Sequence, residues 1–520
     1  MTPTTPLRTR RPCPVDLPGP EGDNSIAREP LWHAYGAGAD QPEPPHWTWT
    51  PEAPPDTHVR PAPPTGEGAR TVLPLGTTGL LSALRYPDRP DRPTAAGPAS
   101  GPAAAGPPDS ERLAHALVTA FGPQRREPEN PYNDHRPYAS ARCLFPVHAF
   151  VDGGGPRPWR LLEPDLHALT GVPDPGPARR IALTGRYTAV PAAYKWFRGS
   201  LVAIELGMVL RSLGIGLELF GVPARLRLPG PDAHGLLAGL GFEAPWEWSL
   251  PLTVELGGTG TPSGARTGAV PLPAPLAAGD PALADLVRVN RGQLYDGRAH
   301  TLTSAIPAGL ARSAVAPDWA ELLWRRHSGR MPRALHGMTG RRRRVPAEAL
   351  DSALRWLSVP PPGPDLAAAF AGIRITVVTH GVDGTADGVH RADRGVARLV
   401  RADASAAERL EEQYGYGVSP VNGCGIRNAP MSVFLSVRPR ELFERLGPGG
   451  WGAAQHAAGW AVHGLCLSAA ASGLFARPVR AFKEIPTQRV LGLEEDETIV
   501  LSAVVGVPQE TSGALLDLRR

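Results

Sequence analysis

Two long segments that are apolar on nearly every side most strongly constrain the fold of this chain. Residues 201–217 read LVAIELGMVLRSLGIGL, and residues 457–474 read AAGWAVHGLCLSAAASGL. A helix that is apolar around most of its circumference must be buried, so each segment predicts a central helix inside a folded domain. We expect the first helix to end at Gly216 and the second at a similar Gly-Leu exit.

The segments on either side of these helices also match in kind and order. Each helix is preceded by a strand, a turn and a short strand, and each is followed by a closing strand. These are 144–152, 159–165 and 250–256 around the first helix, and 373–383, 388–393 and 499–507 around the second. Such self-similarity indicates two copies of one unit. We therefore predict an α+β fold in which two fused domains form an intramolecular pseudo-dimer.

Length and composition divide the chain further. A chain of 520 residues is too long for one core, and its 61 prolines and 59 glycines are unevenly spread. Pro-rich stretches bury little apolar surface. We predict a partly disordered, Pro-rich region at 1–70, a first domain at 71–257, a linker at 258–300 and a second domain at 301–520.

Charge and cysteine content exclude several classes of protein. The formal charge is only +4, and the arginine run at 341–344 has no aromatic residues between its charges, so we expect a solvated loop and no nucleic-acid partner. The four cysteines lie far apart without a CxxC pair, which predicts neither disulfides nor a metal site. No apolar signal or spanning segment is evident. We expect a cytoplasmic protein without a membrane partner.

A short basic segment at the start of the second domain has the composition of a phosphate site. Arg326, Ser328 and Arg330 supply two guanidinium groups and a hydroxyl within five residues. Guanidinium groups form bidentate, charge-assisted hydrogen bonds that suit a terminal phosphate. Taken alone, this Arg326 segment (residues 326–330) is equally typical of an exposed basic helix end.

A segment of the first domain supports the phosphate interpretation. Residues 136–146, the Ser140 segment, read RPYASARCLFP and resemble the R-P-x-P-S-A-G-A-L-Y-P segment of nitroreductase-like flavin enzymes. The resemblance is closer to their peptide-modifying branch, the azoline dehydrogenases of SagB/ThcOx type. In that superfamily an R-[RH]-S-x-[RK] segment holds the FMN phosphate, and the P-S segment reaches the same flavin across a dimer interface. The resemblance implies FMN bound by Arg326, His327, Ser328, Arg330, Arg136, Ser140 and Ala141.

Each domain retains only one half of this set. The first-domain counterpart of the Arg326 segment is Arg85 to Arg89, where Pro87 replaces the serine and Asp88 adds a charge that repels phosphate. The second-domain counterpart of the Ser140 segment is the Pro-rich stretch 358–364, which lacks the pattern. We therefore expect one flavin site, formed by both domains; unrelated loss of the two motifs is the alternative.

Two later segments fit the same resemblance. Pro478, Val479 and Arg480 follow the second central helix, where the family runs its backbone along the flavin ring. Relatives often have Glu-Gly where this chain has Arg480 and Ala481. Arg519 lies near the position of a C-terminal basic residue that helps bind the phosphate in the family. A frayed basic C-terminus is the alternative interpretation.

Lysine is rare in this chain. Lys195 and Lys483 are its only lysines, against 52 arginines. Lysine can lose its proton near neutral pH when desolvated, whereas arginine cannot. The Lys195 segment, YKWFRG at 194–199, resembles the W-K-Y-G-x-R segment of azoline dehydrogenases, whose Lys-Tyr pair is associated with substrate deprotonation. The resemblance implies catalytic roles for Lys195 and Tyr194, with Trp196 in place of the family tyrosine.

The implied activity is FMN-dependent oxidation of thiazolines or oxazolines to azoles in a ribosomally made peptide of the thiopeptide or linear azole type. The expected partners are the modified precursor peptide and a cyclodehydratase complex, and the chain is expected to be a pseudo-dimeric monomer or a higher homo-oligomer. Two alternatives stay open: a general NAD(P)H-dependent reductase of nitro or quinone compounds, and a non-catalytic scaffold of a peptide-modifying complex.

Overall fold

A computed structural model of the chain describes most of both predicted domains. The described residues are 68–89, 109–128, 134–153, 159–171, 177–194, 197–257, 279–310, 317–329, 340–393, 395–413, 425–480, 482–508 and 514–520. The predicted Pro-rich region at 1–70 lies almost entirely outside them, as do Lys195, Trp196 and Arg330.

Eighteen strands and twelve α-helices lie within these residues. The strands are β1 Ala69–Val72, β2 Arg125–Arg126, β3 Asp134–His135, β4 Val147–Asp152, β5 Trp159–Glu163, β6 Ala168–Gly171, β7 Arg180–Gly185, β8 Ala224–Arg227, β9 Leu252–Leu256, β10 Ala299–Thr301, β11 Gly340–Arg341, β12 Arg374–Thr379, β13 Gly388–Asp393, β14 Val396–Ala402, β15 Met431–Val437, β16 Phe475–Val479, β17 Thr498–Pro508 and β18 Leu516–Asp517. The helices are α1 Thr77–Ser82, α2 Ser110–Phe121, α3 Phe197–Leu219, α4 Ala233–Gly239, α5 Pro281–Arg291, α6 Trp319–Arg325, α7 Ala347–Leu357, α8 Pro364–Ala371, α9 Ala406–Glu411, α10 Pro439–Leu446, α11 Gly450–Ala471 and α12 Glu484–Leu491.

The two domains contain antiparallel sheets with the same strand order. In the first sheet β6, β5, β4, β7, β9 and β8 lie side by side, and in the second the order is β14, β13, β12, β15, β17 and β16. The central helix lies between the matching strands of each chain segment, α3 between β7 and β8 and α11 between β15 and β16. The repeat inferred from the sequence is therefore a repeat of topology.

Both central helices are buried almost completely, as their apolar sequences predict. The prediction that the first ends at Gly216 is wrong, because α3 continues to Leu219. A Cβ on Gly216 would lie 2.5 Å from the carbonyl oxygen of Ala116, so this glycine permits close contact with α2. Beyond Leu219 the helix is capped in the manner of a Schellman motif. Gly221 has a φ of 64°, and Val222 N donates to Leu217 O at 2.8 Å.

Helix α3 crosses α11 at very short range. A Cβ on Gly207 would lie 2.0 Å from the carbonyl oxygen of His456, and a Cβ on Gly459 would lie 2.0 Å from that of Ile204. Gly459 follows Gly207 in the chain by as many residues as His456 follows Ile204. The two contacts are therefore equivalent under the pseudo-two-fold relation of the domains. The helix backbones touch because neither position carries a side chain.

Strands also pass between the two halves of the chain. Strand β10 pairs with β8 of the first sheet, and β18, near the C-terminus, pairs with β2 of the first domain. Helix α5 lies within the predicted linker. The predicted domain boundaries stay predictions, but the halves are joined by β-pairing as well as by helix contacts.

Helix α3 is long and apolar enough to cross a membrane, but it is buried within the protein. Within the described ranges, no group of three or more His, Cys, Asp or Glu side chains could hold a metal ion. Arg342, Arg343 and Arg344 are exposed, as expected for a solvated loop.

Replacing Gly207 or Gly459 with Ala should destabilise the protein. The added methyl would meet a backbone carbonyl that cannot rotate away, and overpacking of this kind costs about 1–3 kcal/mol. We expect a lower melting temperature for each variant in thermal unfolding followed by circular dichroism.

Gly79→Ala is the matched control. Gly79 lies inside helix α1, and a Cβ there meets nothing within 4 Å. Alanine favours a helix over glycine by about 1 kcal/mol, so the control should melt at the same temperature or higher. Unchanged melting of the Gly207 and Gly459 variants would contradict the close crossing.

Candidate functional site

The Arg326 and Ser140 segments meet in the structure. Asp318 caps helix α6, whose end delivers Arg326 into the interior, where it is 4% exposed. Arg326 Nε donates to the carbonyl oxygen of Arg136 at 3.0 Å. Its Nη1 is buried and has no hydrogen-bond partner among the described residues. Burial lowers the pKa of Arg326 because a charged group is costly in a dry interior.

The rest of the Arg326 segment is engaged with the second domain. His327 Nδ1 lies 3.2 Å from the amide of Gly329, and His327 O accepts from Ala476 N. The imidazole lies against the ring of Phe475. Burial lowers the pKa of His327 to about 3, so the ring is neutral at physiological pH and offers no charge to a phosphate. The Ser328 side chain is half-buried.

The Ser140 segment forms a tight and strained loop. Ser140 Oγ is hydrogen-bonded to Glu205 Oε2 at 2.5 Å and accepts from Phe145 N at 2.8 Å. Ala141 O accepts from Leu144 N. Three non-glycine residues have left-handed backbone, with φ values of 52°, 54° and 48°: Arg142, Cys143 and Phe145. Each such residue costs of order 1 kcal/mol and persists only where its surroundings impose it.

The Lys195 segment meets this loop from one side and the second domain from the other. The Arg142 guanidinium lies 5.4 Å from the Tyr194 ring centroid, and Tyr194 stacks on Phe197. The Arg480 guanidinium lies 5.5 Å from the Phe197 ring. Although Lys195 itself lies outside the described residues, the residues on both sides of it take part in this row of rings and cations.

The segment around Arg480 is held by its own sheet. Pro478 and Val479 belong to β16 and pair with β17, and Val479 O accepts from Ser502 Oγ at 2.8 Å. Arg480 Nη1 donates to Ile499 O. Burial lowers the pKa of Arg480. Arg480 therefore connects the second sheet to the first turn of α3.

Arg519 lies near the Arg326 segment but is paired within the C-terminus. Its Nη2 is 2.6 Å from Asp517 Oδ2, and its guanidinium is 5.6 Å from the Trp324 ring at the end of α6. Arg125 lies 5.1 Å from the same ring and donates to Trp324 O at 2.6 Å. The sequence had drawn no attention to Arg125, because no motif marks it.

Glu205 is the second residue of this site that sequence reasoning missed. It lies in the middle of α3, is 3% exposed, and is hydrogen-bonded to Ser140. Burial raises the pKa of Glu205 to about 8, against weaker opposing effects of Ser140, the Val147 amide and Arg136. The signal was present, since Glu205 is a single acid within an apolar run.

The counterpart of the Arg326 segment in the first domain is occupied by protein contacts. Arg89 forms an ion pair with Glu218 at 2.7 Å and also donates to Ser304. Tyr86 is buried against two indoles, and its hydroxyl accepts from Trp356 Nε1 at 2.8 Å. These groups are satisfied by the protein and are not arranged around a phosphate.

A buried guanidinium lies beside that counterpart. Arg211 lies between the rings of Trp356 and Trp460, at 4.9 and 5.2 Å. It donates to three backbone carbonyls, those of Ala305, Trp356 and Trp460. The helix crossing that equates Gly207 with Gly459 also equates Arg211 with His463. In the described part of the chain, neither ring nitrogen of His463 has a hydrogen-bond partner, although the side chain is 1% exposed.

The residues where the Arg326 and Ser140 segments meet fit the phosphate end of FMN. Buried donors normally have partners, so Nη1 of Arg326 is a donor that an anionic oxygen would satisfy. Ser328, two residues further along the chain, adds a half-buried hydroxyl. His327 and Arg519, which the resemblance also implied, are engaged with Phe475 and Asp517 instead.

Comparisons with known proteins agree with this architecture. No protein-family model matches the sequence, and no curated protein does. Among solved structures, a protein from Anabaena variabilis described as a nitroreductase matches 77% of this chain and 90% of its own, with 16% identity and a TM-score of 0.58. The chain therefore has a nitroreductase-like fold. The predicted α+β class, with two fused nitroreductase-like domains forming a pseudo-dimer, is confirmed.

Two further structures resemble smaller parts of the chain. A Ralstonia eutropha protein described as a nitroreductase covers 39% of this chain and 88% of its own, at 17% identity and a TM-score of 0.27. The E. coli microcin synthetase McbBCD complex with truncated pro-MccB17 bound covers 32% of this chain and 66% of its own, at 12% identity and a TM-score of 0.28. Those two likenesses are too weak to support a conclusion.

Substituting the residues of the Arg326 segment to which the resemblance assigns the phosphate should abolish FMN binding, whereas substituting the arginines of its first-domain counterpart should not. We expect the double substitution Ser328→Ala and Arg330→Ala to lose FMN in a titration followed by flavin fluorescence. The double substitution Arg85→Ala and Arg89→Ala should keep FMN but melt at a lower temperature, because Arg89 loses its ion pair with Glu218. Equal losses of FMN in both variants would contradict a single site.

Proposed function

We propose that this protein is an FMN-dependent oxidoreductase with one flavin site per chain. The observation that carries the proposal is the convergence of both domains on one side of the interface. Arg326 of the second domain bonds to Arg136 of the first, and Arg480 of the second lies over Phe197 of the first. The nitroreductase-like fold supports a flavin, and the protein contacts of Arg89 and Tyr86 support a single site.

We further propose azoline dehydrogenation as the reaction, with a thiazoline- or oxazoline-containing precursor peptide as substrate. Oxidation of such a ring removes one proton and one hydride, so the site needs a base as well as a hydride acceptor. When bound, FMN supplies the hydride acceptor, with dioxygen as the final oxidant. Lys195, between Tyr194 and Phe197 in sequence, is the residue that we assign as the base.

The described residues around Lys195 suit that role. A lysine acts as a base when it is desolvated or placed beside other cations, because both lower its pKa. Arg142 lies on one side of the segment and Arg480 on the other, each against an aromatic ring of the segment. We propose that the two guanidinium groups beside Tyr194 and Phe197 favour the neutral amine of Lys195, which can take the proton from the ring Cα.

The remaining residues of the site would bind the flavin and shield the reacting groups from water. Arg326 Nη1 and Ser328 Oγ would hold the phosphate, and the stacked rings of Tyr194 and Phe197 would exclude water from the reacting side. A peptide substrate also implies partners: the precursor peptide itself and the cyclodehydratase that forms its rings. A cytoplasmic location, where precursor peptides are made, belongs to the same proposal.

The test is oxidation of a synthetic peptide that contains one thiazoline, with mass spectrometry of the product. FMN-loaded protein should remove two hydrogens per ring. Lys195→Ala should lower turnover by roughly 10²–10⁴-fold, the usual contribution of a general base, while FMN stays bound. Lys195→Arg should be equally inactive, because guanidinium cannot give up its proton.

Lys483→Ala is the matched control, because Lys483 is the chain's other lysine and is exposed. Its turnover should equal that of the wild type. Full turnover by Lys195→Ala would remove Lys195 from the mechanism. Reduction of the bound flavin by NAD(P)H without peptide oxidation would identify a general reductase, and failure to bind FMN at all would leave the scaffold interpretation.

A further inference from the structure

Glu205 is a buried acid in the middle of helix α3. Its carboxyl group is buried beneath the loop of residues 140–145, with Ser140 Oγ 2.5 Å from Oε2 and the Val147 amide 3.5 Å from Oε1. The nearest cation that affects it is Arg136, which is itself paired with Asp165 at 3.2 Å. No ion pair of Glu205 is found in the described part of the chain.

The groups packed around this carboxyl leave it without a compensating charge. The loop brings Arg142, whose guanidinium points to the Tyr194 ring, and Cys143. Along α3, the Ala203 carbonyl oxygen is hydrogen-bonded to His456 of α11, whose pKa burial lowers to about 4, so that this histidine is neutral. Strand β4 contributes only the amide of Val147.

The pseudo-symmetry of the fold shows that Glu205 belongs to one site alone. The relation that equates Gly207 with Gly459 places Ala457 of α11 at the equivalent position. Where the chain lacks the Ser140 pattern, it also lacks the acid beneath it. The carboxyl group is therefore present where the strained loop is present, and it is absent from the equivalent position of the repeated fold.

The loop needs such a support. Three of its residues have left-handed backbone without being glycine, a cost that the surroundings must balance. Ser140 Oγ meets both Phe145 N and the carboxyl group of Glu205, so one hydroxyl ties the two ends of the loop to helix α3. The shape that results puts Arg142 against Tyr194.

We propose that Glu205 is a positioning residue which, through Ser140, holds loop 140–145 in the shape that places Arg142 beside the Lys195 segment. That Glu205 holds the loop is inferred from the geometry alone. Only the importance of the Lys195 segment rests on the proposed function. The support is strongest while Glu205 is neutral, because an ionised carboxylate in this position would be a buried charge without a partner.

The pH dependence follows from the raised pKa of Glu205. Between its ordinary value of 4.5 and about 8, the folded protein holds a proton that the unfolded chain releases. This proton stabilises the folded state fully below the ordinary pKa, and its contribution is lost as the pH rises through about 8. Above that pH, the ionised carboxylate favours a loop that opens to water.

The test uses alkylation of Cys143, whose thiol is half-buried within the loop. The rate of labelling by iodoacetamide, read peptide by peptide by mass spectrometry, measures loop opening without flavin or substrate. At pH 7 we expect Glu205→Ala and Ser140→Ala to label at Cys143 at least five-fold faster than the wild type. Glu205→Gln should label no faster than the wild type, because a neutral amide can keep the hydrogen bond to Ser140 and does not ionise.

A pH series separates this role from a merely structural one. The ratio of the wild-type rate to the Glu205→Gln rate cancels the titration of the thiol itself. We expect this ratio to be near one at pH 5, to rise several-fold through pH 7, and to level off above about pH 8, once Glu205 is ionised in the closed loop as well. Glu218→Gln, in the same helix but paired with Arg89, is the control and should leave Cys143 labelling unchanged at every pH.

Equal labelling of the wild type, Glu205→Ala and Ser140→Ala at pH 7, or a ratio to Glu205→Gln that stays constant from pH 5 to pH 9, would overturn the inference. If Glu205→Ala does not fold, Ser140→Ala provides the same comparison. A protein that fails the azoline assay but shows the predicted labelling pattern would refute the reaction and keep the role of Glu205, so the two proposals fail separately.

Discussion

The contact between helices α3 and α11 sets the geometry of everything else in the molecule. Their backbones approach so closely at Gly207 and Gly459 that a methyl group on either would lie 2.0 Å from a carbonyl oxygen. Helix α3 contacts β7 of its own sheet, and α11 contacts β16 and β17 of its own sheet. This crossing therefore fixes the position of one sheet relative to the other. The segments that form the candidate site come from both domains, so their distances depend on the same contact.

The sequence predicted the architecture well because its strongest signals were local. Two helices without a polar face, and strands in the same order around each, were enough to predict two buried helices and a repeated topology. The helix ends were harder. Gly216 resembled a stop signal, but it lies inside α3 opposite the carbonyl oxygen of Ala116. Whether a glycine ends a helix or permits a close contact depends on a neighbour 100 residues away, which no local pattern reveals.

The candidate site was predictable as a set of segments but not as a set of roles. The motifs brought Arg136, Arg326 and Tyr194 to attention, and in the structure Arg326 contacts Arg136 while Tyr194 contacts Arg142 of the Ser140 segment. Partners from remote parts of the chain then decide what each side chain can do. Asp517 pairs with Arg519, and Phe475 lies against His327. Glu205 is visible in the sequence as the single acid of an apolar run, but its role depends on Ser140, which lies 65 residues away.

The difference between the two halves can be explained by what surrounds their buried cations. A guanidinium in a dry interior is tolerable only when hydrogen bonds replace its lost water. Arg211 donates from its Nε and Nη1 to three backbone carbonyls between two indoles, and its buried Nη2 has no hydrogen-bond partner within the described residues. Arg326 has one such carbonyl, and its buried Nη1 has none within the described residues. The side of Arg326, whose guanidinium has fewer hydrogen bonds, also carries the strained loop and the buried acid, whereas Arg211 is enclosed by two indoles. A ligand with negative charge would complete the hydrogen bonds of Arg326 beside the strained loop, whereas Arg211 is fully buried between two indoles. For this reason we expect one chain with two similar domains to work as one site.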